Sequence, residues 1–265
     1  MKVTTRYALG IEYNGASFSG FQRQISPSLP TVQGTLEEAL SFIANSPVVI
    51  SCAGRTDAGV HGSGQVVHFD SPRNRDEKAW VMGTNTRLPA DIRVQWARQV
   101  ADDFHARHSA LSRRYRYVIY CGKVKPACLI GQLTHVPEDL DVNLMHEAAR
   151  FLVGEHDFSA FRAAGCQSNT PMREIKFVEV RRQGRFIVLE IEANAFLQHM
   201  VRNIVGSLMQ VAAGRKPVTW IAEVLTARDR SLAGVTARPD GLYLVGVEYP
   251  SRFGLPVLPY GPCFL

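Results

Sequence analysis

The sequence predicts an α+β protein built in two halves, and three observations carry this prediction. Strand and helix patterns recur in the same order, strands first and then a helix, in each half of the 265 residues. A hydrophobic content of 46% with 20% charged residues is typical of a globular chain and excludes disordered, collagen-like and coiled-coil proteins. With a typical domain of about 150 residues, the length allows one large domain or two modest ones. We place an N-terminal half at 1–105 and a C-terminal half at 106–265.

The first half contains four strand patterns and two helix patterns. Pro30 and Thr31 open the first helix, whose apolar positions follow the 3.6-residue period. Those positions are Val32, Leu36, Ala39, Leu40 and Ile43. The second helix is predicted at 76–85, and the strands are predicted at 7–13, 48–53, 64–70 and 92–100.

The second half begins near residues 103–112 and repeats this order. Asp141 caps a helix that Gly154 ends, and Gln183 and Gly184 form the turn of a hairpin. A long helix ends at Gly214. The strands are predicted at 114–121, 174–182, 185–193 and 242–249, and the helices at 141–152, 195–213 and 219–227.

Cellular location is read from what the sequence lacks. The first six residues lack an apolar export core, and no apolar run approaches the roughly 18 residues of a membrane span. The five cysteines are odd in number and form no Cys-x-x-Cys pair, so reduced thiols are predicted rather than disulfides or a zinc site. We expect a cytoplasmic protein that does not contact membranes.

Positive charge is concentrated in one stretch. The net charge is +6, and the segment 107–125 holds six basic residues without an acidic one, interleaved with Tyr115, Tyr117 and Tyr120. Basic side chains neutralise phosphates and aromatic rings stack on unpaired bases. The stretch is consistent with nucleic-acid binding, and equally with a strand that has a solvated basic face.

A glycine-rich loop at 52–62 is the first candidate for chemistry. Its three glycines let the backbone approach a ligand, and Arg55, Asp57 and His61 are the groups able to act on one. Asp57 is the obvious carboxylate, although an Asp in such a loop can also serve only an Asx-turn. A metal site on His61 and His68 is disfavoured because their spacing matches no zinc motif.

The predicted helix at 195–213 is the second candidate. Its apolar residues fall on one arc, while the opposite face carries Gln198, His199, Arg202 and Asn203 without any Lys or Glu. Arg202 is therefore expected to point away from the core side of this helix. A solvated surface face is the alternative interpretation.

The loop at 53–61, the strand at 114–117 and the helix at 194–206 together resemble the tRNA pseudouridine synthase A family, and the likeness runs from residue 11 to residue 262. The resemblance implies an isomerase without a cofactor or metal that converts uridines 38, 39 and 40 in the anticodon stem-loop of tRNA into pseudouridine. It also implies the pseudouridine synthase fold, with antiparallel sheets in two halves and the active cleft between them. Members of the family act as homodimers, with a tRNA spanning both subunits.

The resemblance assigns roles residue by residue. Asp57 is the essential carboxylate, and Arg202 pairs with it to keep it ionised. Tyr115 stacks on the target uracil, while Arg55 extrudes the nucleotide and fills its place. The segments that contact RNA are represented here by Phe104, His105, Ala106, Arg107, His108, Gly165, Cys166, Gln167, Ser168 and Asn169.

Two other classes of function are weighed against this one. A non-catalytic RNA-binding protein would use the basic strand alone, but it leaves Asp57 unexplained because a carboxylate repels phosphate. A metal-dependent hydrolase would use His61, His68 and Asp57, and it predicts loss of activity in a chelator.

Overall fold

The structure is a computed structural model that describes residues 4–24 and 29–265, so the first three residues, which the sequence analysis considered for an export signal, lie outside it. The chain divides into two compact units. One contains the residues up to 111 together with 243–265, and the other contains 112–242. The sequence analysis assigned 243–265 to the second half. These residues group with the first unit because the strand that contains Tyr243 and Leu244 pairs with the strand that contains His61 and Gly62.

The first unit is a sheet with two helices. Its elements are β1 (Thr5–Tyr13), α1 (Val32–Ala44), β2 (Ser51–Cys52), β3 (His61–Ser71), α2 (Glu77–Asn85) and β4 (Ile92–Gln99), joined by β10 (Leu242–Glu248) from the end of the chain. The strand order is β4-β1-β3-β10, with β2 paired to β3. The pairs β1–β3 and β1–β4 are antiparallel, and β10 runs parallel to β3. The helices cover a core that the apolar residues of β1, α1 and β4 share.

Both helices of this unit begin where the sequence predicts, because their caps are local. Thr31 accepts a hydrogen bond from the Gly34 amide at the start of α1, and Asp76 does the same for Ala79 at the start of α2. The strand predicted at 48–53 is reduced to Ser51–Cys52. The amides of Val48 and Ile50 donate instead to Ser41 Oγ and Glu37 Oε1 of α1, so they are withdrawn from strand pairing.

The second unit also packs helices against its strands. Its elements are β5 (Ser112–Cys121), β6 (Thr134–Val136), α3 (Val142–Ala149), β7 (Gly154–Asp157), β8 (Met172–Gln183), β9 (Phe186–Ala193), α4 (Met200–Ala212) and α5 (Trp220–Ala227). The strand order is β5-β9-β8-β7, antiparallel throughout, with β6 parallel to β5. The predicted hairpin is present as β8 and β9, while the short strands β6 and β7 were not predicted. The prediction of an α+β fold is confirmed.

The long helix begins five residues later than predicted, at Met200 rather than Ala195. His199 has φ of 61°, a left-handed conformation that a continuous helix does not allow. The segment before it is held by contacts with a neighbouring loop, because Ala163 donates to the Gln198 carbonyl and the Gln198 amide donates to Cys166 Sγ. Periodicity alone does not reveal such competition for backbone groups.

Within the part of the chain that the structure describes, no helix is long and apolar enough to cross a membrane.

Candidate active site

The loop that carries Asp57 is fixed at its start by β3. The Ala53 amide donates to the Val66 carbonyl at 2.8 Å. The buried side chain of Gln65 then bonds both backbone groups of Gly54, accepting from its amide at 3.3 Å and donating to its carbonyl at 2.6 Å. This amide clamp sets the direction in which the chain leaves the sheet.

The middle and end of the loop are held by Tyr13, the last residue of β1, and by the segment that follows it. Tyr13 OH and Thr56 Oγ1 form a buried hydrogen bond of 2.8 Å, and the Phe21 amide donates to the Thr56 carbonyl at 3.0 Å. At Gly15 a Cβ atom would lie 1.9 Å from the Val60 carbonyl oxygen, so only glycine fits there. The loop is therefore anchored on both sides of Asp57, which is half-buried, while the preceding Arg55 is exposed.

The two histidines near this loop make hydrogen bonds and ring contacts with neighbouring segments. His61 Nδ1 accepts from the Gly15 amide, and its ring stacks on Tyr243 with centroids 4.6 Å apart. His68 Nδ1 accepts from the Ala106 amide, and burial, with help from His105, lowers the pKa of His68 to about 4. Across residues 4–24 and 29–265, no three His, Cys, Asp or Glu side chains are grouped to hold a metal ion.

The segment 104–108 alternates between the core and the surface. Phe104 and Ala106 are fully buried, and the Ala106 carbonyl accepts from Tyr249 OH at 2.6 Å. His105 is half-buried between the rings of His68 and His108, at centroid distances of 4.6 and 4.3 Å. Arg107 and His108 are exposed. Phe104 and Ala106 hold the segment in place, and the contact of this segment with RNA stays a prediction.

The strand β5 separates its tyrosines from its arginines. Tyr115 is 7% exposed and packs edge-on against Phe196, with centroids 5.0 Å apart. Tyr117 is fully buried, and its hydroxyl bonds Thr134 Oγ1 and the Arg238 carbonyl at 2.6 and 2.8 Å. The two tyrosines thus share the buried side of the strand, because side chains two residues apart in a strand point to the same face.

The arginines of β5 are paired with carboxylates of β9. Arg114 bonds Glu190 at 2.7 Å and Glu192 at 2.8 Å, and Arg116 bonds Glu190 at 2.7 Å. Burial raises the pKa of Glu190, but the hydrogen bonds from Arg116 and Arg114 outweigh it and hold that pKa below its ordinary value. The basic stretch therefore carries less uncompensated charge than its composition indicates, because strand pairing brings in acids distant in sequence.

Arg202 lies in the first turn of α4 and is half-buried. Its Nε donates to the Ala237 carbonyl at 2.8 Å. The next residue, Asn203, was predicted on the polar face but is only 1% exposed, because its side chain bonds Phe161, Arg230 and Thr236. The helix thus buries a polar group that binary patterning assigned to solvent.

Two arginines organise the predicted RNA-contacting segment at 165–169. Arg162 Nη2 donates to the carbonyls of Cys166 and Ser168 at 2.6 and 2.9 Å. Arg173 Nη2 donates to Ser168 Oγ at 2.6 Å. Gly165, Gln167 and Asn169 are exposed, whereas Cys166 and Ser168 are half-buried in these contacts.

Asp57 and Arg55 belong to the first unit, while Tyr115 and Arg202 belong to the second. The pairing of Asp57 with Arg202 stays a prediction. Sequence reasoning did not identify Gln65 and Thr236, and it placed Asn203 on the polar face of the helix without its buried partners. The hydrogen-bond partners of these three residues lie far away in sequence, so no local pattern indicates them.

Sequence comparisons relate the chain to one family of enzymes. A family model described as tRNA pseudouridine synthase matches residues 10–109 and 148–250. A tRNA pseudouridine synthase A of Mannheimia succiniciproducens is 57% identical over 260 residues, which cover 98% of each chain. That of Aeromonas hydrophila subsp. hydrophila is 58% identical over 98% of this chain and 96% of its own. A chain of the archaeal box H/ACA sRNP Nop10-Cbf5 complex aligns with a TM-score of 0.36 and 11% identity, over 77% of this chain and 44% of that one.

Proposed function

Because the chain belongs to the tRNA pseudouridine synthase A family, we propose that it converts uridines 38, 39 and 40 in the anticodon stem-loop of tRNA into pseudouridine. The enzyme is an isomerase. The reaction breaks the bond between C1′ and N1, turns the uracil, and forms a bond between C1′ and C5. The C5 proton leaves to solvent and N1 gains one. The observation that carries the proposal is the near full-length likeness to relatives named for this activity.

Asp57 acts as the nucleophile in this proposal. Its carboxylate attacks either C1′ of the ribose or C6 of the uracil, both of which are electrophilic. Uracil leaves as a stabilised anion, so the reaction needs less of the general acid that O-glycosidases supply with a second carboxylate. The anchored loop supports this role because a nucleophile gains most from a position fixed before the substrate arrives. No cofactor is required to balance these bond changes.

Arg202 pairs with Asp57, and the guanidinium charge stabilises the carboxylate. Its anchored Nε supports this role, since the bond to the Ala237 carbonyl restricts the plane of the guanidinium group.

Tyr115 and Arg55 handle the base. The target nucleotide must leave the stack before a side chain can reach C1′ or C6. Arg55 is exposed in the same anchored loop as Asp57, which supports its role in extruding the nucleotide and filling the gap. Tyr115 stacks on the extruded uracil, and its edge-on contact with Phe196 holds the ring.

The tRNA is the macromolecular partner. Its phosphates are met by the exposed basic residues Arg107, Lys123 and Lys125. The segments 104–108 and 165–169 complete the contact. The protein works as a homodimer in the cytoplasm, with one tRNA spanning both subunits.

A tritium-release assay tests the proposed reaction. A tRNA carrying tritium at C5 of its uridines is incubated with the protein, and label is released only when C5 forms the new glycosidic bond. We expect release from a tRNA with uridines at 38–40 and none from a matched tRNA with cytidines there. Equal release from the two tRNAs would contradict the site assignment, and no release from either would contradict the reaction.

A further inference from the structure

The first turns of α4 lie directly against an extended segment at 234–238. A Cβ atom on Gly206 would lie 1.8 Å from the Val235 carbonyl oxygen, so the backbones approach more closely than any side chain allows. The Gly234 amide donates to Ser207 Oγ at 2.9 Å. These two contacts fix the position of residues 234 and 235 on the helix.

Asn203 is the hub of this contact. Its Nδ2 donates to the Phe161 carbonyl at 2.8 Å. Its Oδ1 accepts from Thr236 Oγ1 at 2.6 Å and from Arg230 Nη2 at 3.1 Å. Arg230 Nη2 also donates to Thr236 Oγ1 at 3.0 Å, so the Thr236 hydroxyl both donates and accepts. A hydroxyl with both functions engaged has a fixed orientation.

This network continues to the predicted catalytic arginine. The residue after Thr236 is Ala237, whose amide donates to the Arg202 carbonyl at 3.1 Å and whose carbonyl accepts from Arg202 Nε at 2.8 Å. On the other side of Ala237, Tyr117 OH donates to the Arg238 carbonyl at 2.8 Å. The acceptor that orients Arg202 is therefore held by side-chain bonds to the residues on both sides of it.

We propose that Thr236 is a positioning residue for Arg202. Its hydroxyl, fixed by Asn203 and Arg230, locates the Ala237 carbonyl, and that carbonyl orients the guanidinium group toward its catalytic partner. The inference rests on the role proposed for Arg202 and deepens it. We therefore expect Thr236, Asn203 and Arg230 to affect turnover although none of them contacts the substrate.

Thr236→Val and Thr236→Ser test this role, because Val has the shape of Thr without its hydroxyl and Ser keeps the hydroxyl. We expect Thr236→Val to lower kcat for tritium release by about tenfold or more, since small displacements of catalytic groups cost up to roughly a hundredfold. KM for tRNA stays within about twofold, because no contact with RNA is lost. Thr236→Ser restores kcat to within about threefold of the original protein.

The matched control is Thr226→Val, which removes a hydroxyl that donates to the Ala222 carbonyl of α5 at 2.8 Å, outside the network. Its kcat should equal that of the original protein. Thr226→Val loses one hydrogen bond and Thr236→Val loses two, so their Tm values should fall by no more than roughly 4 °C and roughly 8 °C. A merely structural role for Thr236 would lower Tm without a selective fall in kcat.

An Arg202→Met variant distinguishes failure of the positioning role of Thr236 from failure of the proposed function. If Arg202→Met is inactive while Thr236→Val keeps full kcat, the positioning role is overturned and the proposed function stands. If Arg202→Met keeps full kcat, the positioning role is overturned because its target is not catalytic. If the original protein releases no tritium, the proposed function itself fails.

Discussion

At the scale of single residues, the candidate site separates a reacting group from the groups that hold it. Asp57 and Arg55 lie in a loop whose backbone is hydrogen-bonded by the Gln65 side chain at Gly54 and by the Phe21 amide at Thr56. Such a loop presents a carboxylate in a fixed place, and fixed geometry is the main source of rate in a reaction between bound groups.

Asp57→Asn is expected to abolish turnover while tRNA affinity stays within a few-fold. Asn is nearly isosteric with Asp but lacks a nucleophilic oxygen. Tritium release measures the first effect and filter binding the second. Turnover near that of the original protein would contradict the assignment of Asp57.

Tyr115 contributes a ring that is nearly buried, so its substitution has to distinguish stacking from packing. We expect Tyr115→Phe to keep its Tm and to release tritium faster than Tyr115→Leu, because stacking requires the ring and is worth about 1–3 kcal/mol per base. If Phe is as inactive as Leu at unchanged Tm, the hydroxyl takes part in the chemistry. Full activity of a stable Leu variant contradicts both roles, and activity lost together with Tm indicates packing against Phe196.

At the scale of elements, strand pairing brings together groups that are distant in sequence. The clamp from β3 onto Gly54 and the carboxylates of β9 that face the arginines of β5 are the two cases that matter most here. Each gives a prediction about stability, and the clamp also gives one about activity.

Gln65→Met is expected to lower the free energy of unfolding by about 1–3 kcal/mol, because both backbone groups of Gly54 lose their buried partner. Turnover should fall with it, since the loop that carries Asp57 loses its anchor. Denaturant unfolding and tritium release measure the two effects. Gln183→Met, at the exposed end of the β8–β9 hairpin, is the control and should change stability by less than about 0.5 kcal/mol. Equal effects of the two substitutions would refute the clamp.

We predict that the free energy of unfolding falls in acid as Glu190 becomes protonated. Its pKa in the folded protein is held below the ordinary value, so it contributes stability that is present above the unfolded pKa of about 4.5 and is lost as pH falls through the folded value. Glu190→Gln should lower the free energy of unfolding at pH 7 by about 1–3 kcal/mol and flatten its dependence on pH below about 5. Urea unfolding at several pH values measures this. A slope as steep as in the original protein would assign the acid sensitivity to other carboxylates.

At the scale of the whole molecule, binding of tRNA depends on where positive charge remains uncompensated. Composition placed six charges between residues 107 and 125, but the structure pairs Arg114 and Arg116 with Glu190 and Glu192. Counterion release counts only the charges that meet phosphates.

Affinity for tRNA is therefore expected to weaken steeply with salt, and Arg107→Gln should reduce the slope of log K against log salt by about 1. Arg116→Gln should leave that slope nearly unchanged, because Arg116 is engaged with Glu190 at 2.7 Å. Filter binding over a range of salt concentrations measures both variants, with Tm as the check on folding. A flat salt response of the original protein would exclude this stretch as the binding surface.

The sequence by itself determined the α+β class, most strands and helices, the Gly-rich loop with its carboxylate, and the family. These depend on local information, namely the period of apolar residues, caps such as Asp141, and motifs contiguous along the chain. The tertiary structure alone decided which polar groups are solvated and which are engaged. It gave Arg114 and Arg116 their acidic partners, moved the start of α4 to Met200, and buried Phe104 and Ala106. It also buried Asn203 in hydrogen bonds with Phe161, Arg230 and Thr236. All of these contacts join segments far apart in sequence, and the register and packing that bring such segments together are not encoded in any local pattern.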